Sequence, residues 1–107
     1  MVQFSPHVAF HAMSDPARCE IVRLLSERQR TVSELAAPFA MTLQGVRKHL
    51  AVLEDAGLVA TEKVDRTRMC RLKPRRLGEA ARWLEQRARL WNSRLDRLGA
   101  AIGEESP

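Results

Sequence analysis

The sequence predicts a mainly α chain carrying one small β-hairpin. Three observations lead there. Apolar residues recur at helical spacing through most of the chain, capping signals cut it into successive helices, and a stretch past its middle reads as two short strands around a tight polar turn. At 107 residues the chain has the length of one domain, 1–107, and no repeat, linker or low-complexity tract divides it.

The first helix is short, within residues 1–13. Ser5 stands as its candidate N-cap, Pro6 takes the first helical position, and Val8–Met13 follow. Asp15-Pro16 restarts a helix in the same way. Ala17, Ile21, Leu24 and Leu25 give it one apolar face, and it fades at Ser26-Glu27-Arg28. Thr31-Val32-Ser33-Glu34 is a capping box, in which the Thr31 hydroxyl and the Glu34 carboxylate each satisfy an orphan amide. The helix it opens carries Leu35, Ala36 and Phe39 and is cut short by Pro38. Thr42 then caps a longer helix from Leu43 to Ala56, and Gly57 stands where a C-terminal cap needs positive φ.

Two helices a few residues apart, the second longer, have helix-turn-helix spacing over 31–57. Over 58–73, Leu58–Val64 and Arg68–Leu72 flank the turn Asp65-Arg66-Thr67, so a β-hairpin follows the pair directly. The fold class predicted is therefore a winged helix-turn-helix. Pro74 stops the second strand and a long helix runs from Arg75 to about Ile102 (75–102).

That last helix has the most regular pattern in the chain. Leu77, Ala81, Leu84, Ala88, Trp91, Leu95, Leu98 and Ile102 are spaced 4, 3, 4, 3, 4, 3 and 4, a heptad seam widened by Trp83 and Leu90. A core already supplied by the winged unit has little room to bury such a helix. The seam, with Leu84, Ala88, Trp91, Leu95 and Leu98 at its centre, is therefore read as a dimer interface; the alternative is a helix folded back on its own core.

Composition narrows the function. Charged residues make up 29% and hydrophobic residues 45%, the balance of a globular protein. No apolar run is long enough to span a membrane, MVQFSPHVAF does not have the form of a signal peptide, and Cys19 and Cys70 make no disulfide framework, so a cytoplasmic protein is expected. Net charge is +5 and the isoelectric point about 10.2. Lys48, Lys63 and Lys73 are the only lysines, which leaves fifteen of the 18 cations as arginine. Guanidinium forks suit phosphates and guanine edges, although a GC-rich genome also enriches arginine.

The exposed face of the second helix of the pair is where base reading is expected. Val46, Leu50 and Leu53 at i, i+4 and i+7 point inward, which turns Leu43, Gln44, Arg47 and Lys48 outward near the N-terminus. Gln suits adenine, Arg guanine, and an apolar side chain a thymine methyl. Thr42 and the free amides behind it suit a backbone phosphate. His49, flanked by Lys48 and Leu50, is either a half-buried packing residue or a phosphate donor. Arg66 and Arg68 at the wing tip offer guanidinium groups to phosphates or a minor groove, and Thr31, which opens the helix pair, joins these DNA-binding candidates.

Catalytic and metal chemistry find little to build on. There is no Gly-rich phosphate loop, no carboxylate pair on one element and no Ser-His-Asp order, so no catalytic residue and no enzyme activity are expected. His7 and His11 share a helical face, but two ligands do not make a site. No metal and no cofactor are expected.

The segments FHAMSDPARCEIVRLL, TVSELAAPFAMTLQGVRKHLAVLEDAGLV and TEKVDRTRMCRL together resemble the ArsR/SmtB family of bacterial winged-helix repressors, from Phe10 to about Leu98. The resemblance implies a homodimer built on the first and last helices, which adds Val8 and Phe10 to the interface, and two recognition helices reading an inverted-repeat operator in double-stranded DNA. Family members usually repress, and an inducer or metal usually releases them. This chain departs from them where a Cys-x-Cys usually binds metal, since Ala36 and Pro38 stand there, and its final helix lacks the histidine ligands of the other usual site. Asp65 stands where the wing turn usually has glycine, and Arg47 where a small or apolar residue is common. Two rival readings stay open: a winged-helix module that docks another protein through its long helix, and a thiol-responsive (redox or persulfide) regulator using Cys19 or Cys70.

Overall fold

The computed structural model describes residues 5–103, with side chains through Ala101. Residues 1–4 of the expected N-terminal segment, the side chain of Ile102 in the seam, and the tail beyond 103 lie outside the described residues. The element order is α1 (Pro6–Ala12), α2 (Pro16–Glu27), β1 (Arg30–Thr31), α3 (Val32–Ala36), α4 (Leu43–Asp55), β2 (Val59–Val64), β3 (Thr67–Leu72) and α5 (Pro74–Gly103). This is a winged helix-turn-helix.

The helix boundaries follow local chemistry. The Asp15 carboxylate accepts from the amides of Ala17 and Arg18, at 2.8 and 3.2 Å, and starts α2. The Arg18 amide chiefly, helped by that of Ala17, holds the Asp15 carboxyl below its ordinary range although desolvation opposes it. The capping box at Thr31 is complete. Thr31 Oγ1 accepts from the Glu34 amide at 3.1 Å, and Glu34 Oε1 accepts from the Thr31 amide at 3.0 Å. Thr42 Oγ1 accepts from the Gly45 amide at 3.1 Å and opens α4. Ser5 sits at the N-cap position of α1 but its hydroxyl makes no capping bond, so the Pro at the first helical position fixes that start alone.

The end of α4 is a Schellman motif. The amide of Leu58 donates to the Leu53 carbonyl at 3.0 Å and that of Gly57 to the Glu54 carbonyl at 2.9 Å. This geometry needs φ +76 at Gly57, and a Cβ there would also meet Arg76 Cγ at 3.0 Å. The chain thereby turns sharply from α4 into the wing.

Two details differ from the sequence reading. The sheet has three strands in the order β1-β3-β2, because Arg30 and Thr31 pair with Cys70 and Met69. A two-residue strand has no alternation to betray it; it exists only because β3 offers a free edge there. The wing turn is also tighter than expected. Thr67 pairs with Val64 and donates its hydroxyl to the Val64 carbonyl at 2.9 Å, which leaves Asp65-Arg66 as the two-residue loop. Asp65 adopts φ 56, a left-handed conformation that Asp tolerates better than most residues, so the hairpin closes without glycine.

The core gathers Ile21, Val22, Leu24 and Leu25 of α2, Leu35 of α3, Val46, Leu50 and Leu53 of α4, and Leu58, Val59 and Cys70 of the wing. Among the described residues, every buried one lies between Ala9 and Ala80. Only the beginning of α5 reaches this core, through Leu77 and Ala80, while Trp83 stacks at a tilt on Phe10 of α1 with centroids 5.6 Å apart. Beyond that, α5 projects. The radius of gyration is 19.1 Å, against about 13 Å for a compact chain of this length.

Candidate nucleic-acid interface

The amphipathic pattern of α4 divides it cleanly. Val46, Leu50 and Leu53 are buried, while Leu43, Gln44, Arg47 and Lys48 are exposed, Leu43 at 44%. The N-terminal half of α4 thus presents a continuous polar face, with one leucine at its tip.

Between this face and the wing lies an open cleft of about 440 Å³. Arg47 contributes from α4, Lys63 from β2, Arg66 from the turn, and Arg68 from β3. Four cations on three elements and the turn between two of them line one groove, a concentration that sequence spacing alone does not reveal. Arg47, Lys48, Lys63 and Arg66 enter no ion pair among the described residues, so their charge is available to an anion. Elsewhere several arginines are partnered, among them Arg23 with Glu20 and Glu27, Arg28 with Glu34, and Arg76 with Glu79.

Arg68 is engaged differently from Arg66. Its guanidinium is turned into the cleft and donates to Thr61 Oγ1 at 2.8 Å, and the Thr61 hydroxyl donates in turn to Glu54 Oε1 at 3.1 Å. This chain ties both wing strands to the last turn of α4. Thr61 and Glu54 had no signal in the sequence that could have marked them, because the link depends on the register of the hairpin.

The two threonines expected at phosphates, Thr31 and Thr42, use their oxygens as cap acceptors. A hydroxyl that accepts can still donate: Thr42 keeps its proton for an external oxygen, whereas the Thr31 hydroxyl also bonds the Glu34 carboxylate. His49 sits on the opposite flank of α4 from Arg47, with its side chain 21% exposed and Nδ1 3.3 Å from Arg18 Nη1 and 3.9 Å from Asp15 Oδ2.

The seam residues present the second surface. Leu84, Trp91, Leu95 and Leu98 are 52%, 59%, 45% and 57% exposed; Val8 and Leu90 are exposed as well, and so is Ala88. Phe10 is half-buried, its ring spent on Trp83 within the same chain. Ala9, Phe10, Met13, Leu58, Leu77, Ala80, Ala81 and Leu84 enclose an apolar hollow of about 260 Å³ where α1 meets α5.

The thiols lie apart from both surfaces. Cys70 is fully buried, and burial pushes its thiol up to about 11, with the charge of Arg68 opposing the rise and that of Glu54 adding to it. Cys19 is exposed on α2 and donates to the Met13 carbonyl at 2.9 Å. Among the described residues no three of His, Cys, Asp and Glu gather as a metal site would need, and no helix is long and apolar enough to cross a membrane.

A helix pair, a basic cleft and a wing define a DNA-binding transcriptional regulator of the winged-helix class. Residues 13–62 match the family model described as a helix-turn-helix domain. A crystal structure of an ArsR family transcriptional regulator is 37% identical, with a TM-score of 0.74 over 80% of this chain and 94% of that one. An ArsR-like transcriptional regulator from Rhodococcus sp. RHA1 is 32% identical, with a TM-score of 0.75 over 90% and 91%. A possible transcriptional regulator for arsenical resistance is 35% identical, with a TM-score of 0.69 over 94% and 97%. No curated protein matches the chain in sequence. The chain belongs to the ArsR family of transcriptional regulators.

Proposed function

We propose that the protein is a cytoplasmic repressor that binds an inverted-repeat operator as a homodimer. The observation that carries DNA reading is the cleft, where Arg47 of α4 faces Lys63, Arg66 and Arg68 of the wing. In this reading Leu43, Gln44 and Arg47 meet base edges in a major groove, since they stand exposed on the first turns of α4. Thr31, Thr42, Lys48, Arg66 and Arg68 hold phosphates, and His49 supports them from the flank. Arg68 would exchange its bond to Thr61 for a phosphate, or keep it and brace the wing.

Dimerisation rests on the uncovered seam. Leu84, Ala88, Trp91, Leu95 and Leu98, with Val8 and Phe10 of α1, form the proposed interface. A second copy laid against this face would remove apolar surface worth about 25 cal/mol per Å². Two recognition helices related by a two-fold axis then need half-sites about 10–10.5 base pairs apart, or a multiple of that.

Selection of bound sequences from random DNA, followed by a salt series on the selected site and a scrambled one, tests this. Arg47→Ala costs about 1–3 kcal/mol on the selected site and much less on scrambled DNA. Equal loss on both makes Arg47 a phosphate clamp and removes base reading from this face. Release by metal through the family's usual sites is not expected, because Ala36 and Pro38 replace the thiolates and no histidine follows His49. Stoichiometric Zn²⁺, Ni²⁺, Cd²⁺ or arsenite therefore leaves the DNA complex intact. Tight metal binding by calorimetry, lost on changing His7 and His11, would contradict this.

A further inference from the structure

We propose that Arg18 is a positioning residue for DNA binding, acting by fixing the ring of His49 in the tautomer that carries its proton on Nε2. This rests on the reading of α4 as the DNA-facing helix.

The Arg18 side chain bridges two elements. Its Nε donates to the Ala12 carbonyl at 2.6 Å and its Nη2 to the His11 carbonyl at 3.3 Å, both at the C-terminal end of α1. Its Nη1 lies 3.3 Å from His49 Nδ1 on α4. A guanidinium has only donors to give, so this contact is a hydrogen bond only when Nδ1 carries no proton. The neutral ring then bears its proton on Nε2. That group has no partner among the described residues, and no buried side-chain nitrogen or oxygen is left unpartnered, so Nε2 reaches solvent. A donor on the flank of the recognition helix, beside the exposed Lys48, suits a phosphate oxygen of the DNA backbone.

The charged groups around the ring act in both directions. Asp15 Oδ2, at 3.9 Å from Nδ1, favours a proton there, but that carboxylate already accepts from the amides of Ala17 and Arg18. Arg18 opposes it at shorter range, and Arg47 and Lys48 on α4 add positive charge nearby in sequence. The closer contact decides the tautomer. The same three bonds of Arg18 join the end of α1 to the middle of α4, so a shift of α1 would be felt at the DNA-facing helix.

Nitrogen-15 NMR of the histidine rings in the free protein reads the tautomer directly. In its neutral ring, His49 is expected to carry its proton on Nε2, and in Arg18→Met the two tautomers are expected to mix. His49→Leu, which leaves the bonds of Arg18 to α1 untouched, is expected to weaken binding to the selected DNA site by about tenfold, the size of one hydrogen bond to a charged group. His49→Gln restores a donor and is expected to recover most of that loss. A proton on Nδ1 in the unaltered protein overturns the proposal. So does unchanged affinity in His49→Leu while Arg47→Ala still weakens binding, a result that leaves the DNA reading standing. Failure of the unaltered protein to bind any DNA overturns that reading, and this one with it.

Discussion

Leu53 in α4 and Trp91 in α5 occupy comparable places, each on the apolar stripe of an amphipathic helix, yet Leu53 is fully buried and Trp91 is 59% exposed. Both stripes follow from the same spacing rule, since side chains three and four apart share a face. The difference is what lies opposite. The stripe of α4 meets α2, α3 and the wing, whereas α5 leaves the core after Leu77 and Ala80, stacks Trp83 on Phe10 of α1, and from Leu84 onward leaves its stripe exposed. Periodicity specifies that a face wants covering; it does not say which chain supplies the cover.

That contrast can be broken at its strongest point first. Leu53→Ala leaves a cavity in a fully enclosed site and is expected to cost about 2–5 kcal/mol, read as a lower urea midpoint. Trp91→Ala is expected to leave the winged unit folded and to dissociate the proposed dimer, with DNA affinity falling as a consequence. Circular dichroism beside light scattering separates the two outcomes. If Trp91→Ala instead unfolds the chain as Leu53→Ala does while remaining the same size in solution, the seam belongs to the fold of one chain.

Smaller effects sharpen the winged unit itself. Thr31→Ala removes one half of the capping box of α3 and is expected to cost about 1 kcal/mol in thermal or urea unfolding. Asp15 supplies a pH dependence. Its carboxyl is depressed in the folded state, chiefly by the Arg18 amide, so its stabilisation is complete well above the ordinary value of 3.8 and is lost as pH falls below it. Asp15→Asn keeps a capping acceptor, and its midpoint is expected to fall less steeply between neutral pH and pH 3. Arg66→Ala, at the wing tip, is expected to weaken all DNA sequences about equally and to reduce the salt slope by about one unit.

Much of this was legible in the residues. The capping box, the N-caps at Asp15 and Thr42, prolines at first helical positions and the glycine after α4 mark boundaries by local chemistry, and these signals do not depend on the rest of the fold. The outward set on α4 was legible for the same reason, because Val46, Leu50 and Leu53 fix which side faces the core. Non-local matters were not. β1 is a strand only through the edge of β3, the Arg68–Thr61–Glu54 chain depends on hairpin register, and the bridge from Arg18 to His49 spans 31 positions in sequence. The wing turn is one residue shorter than its sequence predicts, because Asp65 takes up the left-handed conformation for which glycine is the usual signal.

The most direct test of the division between a covered core and an uncovered arm is the mass of the unaltered protein in solution. Sedimentation equilibrium at micromolar concentration is expected to give twice the 12.1 kDa of one chain, with the Trp91→Ala protein at 12.1 kDa. An unaltered protein that sediments as a single 12.1 kDa chain would contradict the assignment of the α5 seam to a second copy.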